Sequence, residues 1–144
     1  MGGVTRSVLV HRPVDEVAKV ATDPDVVFPI IGGFGRFDYI SENPDGSQEW
    51  DLYLDVGTIH VGGRVRVDPP TANSIKWRSL RGTRHTARIE VTPAEGGALV
   101  SMSVNAYFAG LLAGWVTSVL ASGIVARHIE AGLEQLRHHI EYGG

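Results

Sequence analysis

The sequence predicts an α+β domain in which one curved antiparallel sheet is covered by a single long C-terminal helix. Three observations predict it. Apolar and polar residues alternate at period two through six consecutive segments between Arg36 and Phe108. From about Gly110 to Tyr142 the period becomes helical, ending in Ile129, Leu133, Leu136 and Ile140. Ahead of these lie one strand-like segment and two short helical ones. A sheet with one apolar face needs a cover, and only the last segment is long enough to provide it. With 144 residues there is material for one domain, 1–144, and too little for two.

The elements follow in order. Val4 to His11 alternates, with Val4, Val8 and Val10 on one face, and stops at Pro13. Pro13 opens a short helix whose first-turn carboxylates, Asp15 and Glu16, meet the positive helix end. Asp23-Pro24 starts a second helical piece through Ile31, and Gly32-Gly33-Phe34-Gly35 reads as a mobile loop. Arg36 to Glu42 is a strand, turned at Asn43-Pro44-Asp45-Gly46. Gln48 to Val56 sets Trp50, Leu52, Leu54 and Val56 against Glu49, Asp51, Tyr53 and Asp55, the sidedness of a sheet with one wet face. Thr58 to Val67, Asn73 to Arg81, Thr86 to Thr92 and Leu99 to Phe108 complete the series.

Composition narrows the function. The chain holds 13 Lys plus Arg against 16 Asp plus Glu, a formal charge of -3, and no segment gathers cations, so nucleic acid is not expected as a partner. The absence of cysteine excludes disulfides, thiolate metal sites and cysteine nucleophiles. The start alternates at once and has no apolar run of signal type, and Arg6 stands where a myristoylation motif wants Ser or Thr; a cytoplasmic location is expected. Residues 96–126 carry no charge and include Gly110-x-x-x-Gly114. Six Ser, Thr and Asn residues dilute the run, and its first third alternates, so it reads as strand plus cover helix with no stable membrane insertion.

The segment Ser7-Val8-Leu9-Val10-His11-Arg12-Pro13-Val14-Asp15-Glu16-Val17, the Asp23-Pro24 start and the terminal Leu133-Glu134-Gln135-Leu136-Arg137 carry a resemblance over nearly the whole chain. They resemble the START/Bet v 1-like (SRPBCC) superfamily, in its bacterial polyketide cyclase/dehydrase and lipid-transport branch. The resemblance implies a helix-grip fold with a cavity between sheet and helix. Val27-Phe28-Pro29-Ile30-Ile31 departs from the Trp that members often carry there.

Small residues at Gly110, Gly114, Ser118, Ser122 and Gly123 either keep such a cavity open or let the helix lie close to the sheet; the resemblance favours the cavity. Strand parity lines it with Trp50, Leu52, Ile59, Ile75, Trp77, Ser79, Met102 and Phe108, the helix adds Trp115, Ser118, Val119 and Ser122, and Phe34 sits at the mouth. His85 and Arg81 share the inward parity and are the only candidates for acid-base work, although they also sit at a hairpin tip where parity breaks down. The other histidines form no zinc-ligand spacing, and no dinucleotide, Walker or nucleophile-elbow motif occurs, so neither metal nor cofactor is expected. Glu49, Asp51 and Asp55 read as a solvated outer face. The leading function is binding or transport of a small hydrophobic ligand such as a lipid, polyketide or aromatic metabolite, by a monomer or homodimer. A polyketide cyclase/aromatase, or a protein-interaction or stress/toxin-antitoxin module with an idle cavity, are the alternatives left open.

Overall fold

The computed structural model describes residues 2–31, 35–56, 59–82, 84–107 and 114–143, with the backbone alone at 2, 54–56, 59–61, 106–107, 114–122 and 124. Its order is β1 (Gly2–Val10), α1 (Val14–Ala21), α2 (Pro24–Ile31), β2 (Gly35–Glu42), β3 (Gln48–Val56), β4 (Ile59–Val67), β5 (Ser74–Ser79), β6 (Arg84–Ala94), β7 (Gly97–Tyr107) and α3 (Gly114–Tyr142). The seven strands make one antiparallel sheet, ordered β1-β7-β6-β5-β4-β3-β2. Six of them form a meander, and β1 closes the far edge against β7. The α+β helix-grip architecture expected from the sequence is the one found.

Local chemistry explains the boundaries. Pro13 precedes α1, and Asp15 and Glu16 occupy its first turn with Lys19 in its last. Asp23 Oδ1 accepts from the Asp25 amide at 3.0 Å and caps the start of α2. The hairpin between β2 and β3 is held by Asp45, whose carboxylate accepts from the Ser47 amide at 2.9 Å and its hydroxyl at 2.6 Å. These bonds hold the Asp45 carboxyl below its usual range, helped by Arg66. The β6–β7 hairpin is tighter than the sequence implies. Ala94 pairs with Gly97, and Gly96 turns the chain at φ 84°.

The expected segment Asn73 to Arg81 ends earlier as a strand, at Ser79. Its continuation passes so close to the Gly62-Gly63 backbone that a Cβ on Gly63 would collide with the Arg81 carbonyl. Gly63, at φ 134°, provides both the space and the conformation.

The core lies between the concave sheet face and the two helical layers. Phe28 of α2, Ile75 and Ile89 of the sheet, and Leu133 and Leu136 of α3 are each no more than 1% exposed. Helix α3 runs nearest β1 and passes α2 at Gly132, where a Cβ would stand 3.4 Å from Ile31. Its buried stripe of Ala126, Ile129, Leu133 and Leu136 is the one the helical period marks. Among the described residues no helix is long and apolar enough to cross a membrane.

A clasp joins the chain's two ends. Glu141, 7% exposed, accepts from the His11 amide at 2.9 Å and pairs with Arg137 at 2.9 Å. Arg12 donates to its main-chain carbonyl. The His11 amide first, then the Arg137 charge, hold the Glu141 carboxyl below the usual carboxylate range.

Candidate functional site: the concave face

Antiparallel register arranges the concave face in transverse rows. Val91 faces Val100, and Val100 faces Val8. The next row runs Ile75, Ile89 and Met102. Beyond it come Val67, Trp77, Ala87 and Val104. The row after that is Tyr39, Trp50, Val65 and Ser79. His85 continues it on β6, since its amide donates to Ser79 Oγ at 3.1 Å and its backbone pairs with Ala106 on the other side.

The rows grade from solid to polar. The Val8, Val100 and Val91 end is made of branched aliphatic side chains. At the other, Ser79 and His85 interrupt the apolar face, and His85 is only 6% exposed. Trp77 adds an indole N–H: its Nε1 is buried and has no hydrogen-bond partner among the described residues. A polar atom in that condition costs about 1–3 kcal/mol unless something bonds it.

Aromatic rings wall this region. Phe28 stacks on Phe37 at 4.6 Å between centroids, and meets Trp50 and Trp77 edge-on at 5.1 and 5.0 Å. Tyr39 meets Trp50 edge-on at 5.5 Å, and the Trp50 indole donates to Gln48 Oε1 at 2.9 Å. Phe28, Phe37 and Tyr39 are absent from the sequence-derived lining. The signal for two of them was present, because Phe37 and Tyr39 alternate with Arg36 and Asp38.

Of the expected lining, Trp50, Leu52, Ile75, Trp77 and Met102 are buried on the concave face, and Ser79 is half-buried there. Phe34 and Phe108 lie outside the described residues, as do the side chains of Ile59, Trp115, Ser118, Val119 and Ser122. Gly123 requires a correction. It is exposed, and a Cβ placed on it meets nothing within 4 Å, so it holds no space open beneath the helix. Arg81 requires another. The strand ends before it, it is exposed, and its charge helps lower the Asp51 carboxyl on the outer face, so the structure does not bring it to His85.

Glu49 and Asp51 of β3 are held in ion pairs. Arg64 binds Asp51 at 2.6 Å and Glu49 at 3.4 Å on the outer face. The Arg64 hydrogen bond chiefly holds Asp51 below its ordinary value, and Asp51 raises Arg64 in return. The Asp55 side chain lies outside the described residues. Among the described residues no group of His, Asp and Glu could hold a metal ion.

Comparison with known proteins adds the family. A family model described as polyketide cyclase/dehydrase and lipid transport matches residues 1–141. A search of curated proteins found no match. Among solved structures, a protein of Thermus thermophilus superposes with a TM-score of 0.82 at 13% identity, over 96% of each chain. A START superfamily protein from Mycobacterium smegmatis gives 0.77 at 14%, over 98% of each. The Zhui aromatase/cyclase from Streptomyces sp. R1128 gives 0.71 at 17%, over 99% of this chain and 97% of that one. At these identities the likeness is one of fold.

Proposed function

The chain belongs to the polyketide cyclase/dehydrase and lipid-transport family, and from that premise we propose that it binds and carries a small hydrophobic molecule bearing an oxygen acceptor, held between the concave face and α3. The observation that carries this reading is the buried Trp77 Nε1, a donor with no partner among the described residues in a row otherwise formed by Val67, Ala87 and Val104. A carbonyl or hydroxyl oxygen on a ligand would satisfy it, while the rings of Trp50, Trp77 and Phe28 supply apolar contact area. The expected lining residues at 59, 108, 115, 118, 119 and 122 remain part of this proposal.

The test pairs two probes differing in one oxygen, 2-acetylnaphthalene and 2-ethylnaphthalene. Trp77→Phe keeps a ring and removes the N–H. A hydrogen bond worth about 0.5–1.5 kcal/mol corresponds to roughly a two- to tenfold loss of affinity for the ketone. The hydrocarbon should lose none of that increment. Equal effects on both probes would remove the oxygen acceptor from the proposal. No binding of either probe, together with no co-purifying small molecule in native mass spectrometry, would leave the interior an idle core and favour an interaction module.

The second reading is a cyclase, favoured by the placement of the His85 imidazole inside the concave face beside Ser79. An imidazole there can relay a proton to or from a folded polyketide. If it does, His85→Ala lowers turnover by about a hundredfold or more while 2-acetylnaphthalene binds as before. Unchanged turnover would exclude the role.

A further inference from the structure

The outer face of the sheet treats charge in two different ways. On β3 and β4 opposite charges stand across the register, Asp51 opposite Arg64 and Glu49 opposite Arg66. On β5 and β6 the same face sets like charges together. Lys76 is directly opposite Arg88, and Arg78 follows two residues on, opposite Thr86. Directly opposed side chains on an antiparallel pair have Cβ atoms about 4.5–5.5 Å apart, and like charges there are destabilising. All three cations are exposed. Arg78 and Arg88 have no ion pair among the described residues, and Lys76 reaches Asp68 only at 4.0 Å. Asp68 is itself shared with Arg66, at 3.8 Å.

These side chains border a depression of about 550 Å³, whose walls also carry Thr86, Ser103 and Asn105. Its volume is that of a small-molecule site, which runs to about 300–1,000 Å³. A chain of net charge -3 therefore collects three cations with hydroxyl and amide donors around one hollow that holds a single carboxylate, Asp68, already shared between Arg66 and Lys76, and sets the cations where they repel each other.

We infer that this hollow binds a phosphate-type oxyanion. Two guanidinium forks match phosphate oxygens bidentately, and the Lys76 ammonium adds a compact charge. The bound anion removes the repulsion between Lys76 and Arg88, so binding and local stability are linked. A hollow of this size suits a compact anion better than an extended acidic chain. The phosphate can belong to a soluble phosphorylated metabolite or to a lipid headgroup, since both present the same oxygens.

The experiment titrates pyrophosphate into the full ¹⁵N-labelled chain at low salt. Amide shifts are expected at Thr86, Arg88, Ser103 and Asn105. Affinity should fall at least tenfold in the Arg78→Gln/Arg88→Gln variant and stay unchanged in Arg127→Gln, which alters an exposed arginine on α3 away from the hollow. Without pyrophosphate, Arg88→Gln should raise the unfolding midpoint, because it relieves Lys76. Sedimentation with phosphatidic acid vesicles, absent with phosphatidylcholine and lost in the double variant, would assign the phosphate to a lipid headgroup; pyrophosphate binding without sedimentation would assign it to a soluble ligand. Shifts spread over all surface cations, or equal affinity in the double variant, would overturn the inference. So would binding of polyglutamate or RNA by a protein that ignores pyrophosphate, which would assign the face to a macromolecule.

Discussion

Phe28 offers the sharpest test of how the interior is divided, because one ring of α2 touches three others. It is 0% exposed and meets Phe37, Trp50 and Trp77 at centroid distances of 4.6, 5.1 and 5.0 Å. Truncating a buried Phe to Ala costs about 3–5 kcal/mol through lost transfer energy and the cavity left behind. Aromatic pairs add about 0.5–1.5 kcal/mol each beyond area, so three of them place Phe28→Ala near the top of that range. For a chain of this size, about 2–4 °C of midpoint is lost per kcal/mol, which gives a fall of roughly 8–20 °C. Urea unfolding should be followed by far-ultraviolet circular dichroism, since Trp50 and Trp77 adjoin the mutation and would distort a fluorescence signal. The midpoint should drop without a change in slope. Phe28→Leu, which keeps apolar bulk and loses the ring, should recover part of the loss. A cost below about 2 kcal/mol for Phe28→Ala would show that these rings do not support one another, and the aromatic wall would lose its structural basis.

Three further outcomes follow from the geometry. Glu141→Gln should leave the clasp with a weaker acceptor for the His11 amide and no charge for Arg137, lowering the unfolding midpoint at neutral pH. Because the folded carboxyl lies below its ordinary value of 4.5, the parent's advantage is complete well above pH 4.5 and drains as the pH falls through the lowered value, so the midpoints of parent and variant should converge in acid; a constant difference would contradict the linkage. Gly63→Ala should cost more than about 1–3 kcal/mol, since the positive φ and the Arg81 carbonyl oppose a side chain together, as thermal unfolding would show.

Parity made much of the interior legible. A sheet wet on one face exposes its register in the sequence, and Trp50, Leu52, Ile75, Trp77, Ile89, Val91, Val100 and Met102 are all buried as alternation requires. Parity fails where the backbone departs from a regular strand. In β2 the pairing shifts between Tyr39 and Ser41, so alternation across that point no longer identifies one face, and Ile40 ends up 41% exposed. Beyond Ser79 the chain leaves β5 to pass the Gly62-Gly63 backbone, which carries Arg81 away from the face its number implies. Phe28 was hidden for another reason. An eight-residue helix shows that it has an apolar stripe, but not which strands its rings will meet. The outer cations were illegible as a group because no run contains them; Lys76, Arg78 and Arg88 come together only through the pairing of β5 with β6.

That same pairing ties the two proposed sites to each other. A slip of one residue in β5 would turn Ile75 and Trp77 outward and send Lys76 and Arg78 into the core, destroying the aromatic wall and the cationic hollow in one step. The register is held from both ends of the strand. At one end the Thr71 amide donates to the Ser74 carbonyl at 2.9 Å, and at the other Ser79 Oγ accepts from the His85 amide at 3.1 Å. Ser79 therefore has a structural task that precedes any contact with ligand. Loss of its hydroxyl should disturb both faces, whereas loss of the His85 imidazole leaves that backbone bond intact and can act only from the concave side. The difference separates an effect on the frame of the site from an effect on its chemistry: Ser79→Ala should shift amides on the outer face near Arg88, and His85→Ala should not.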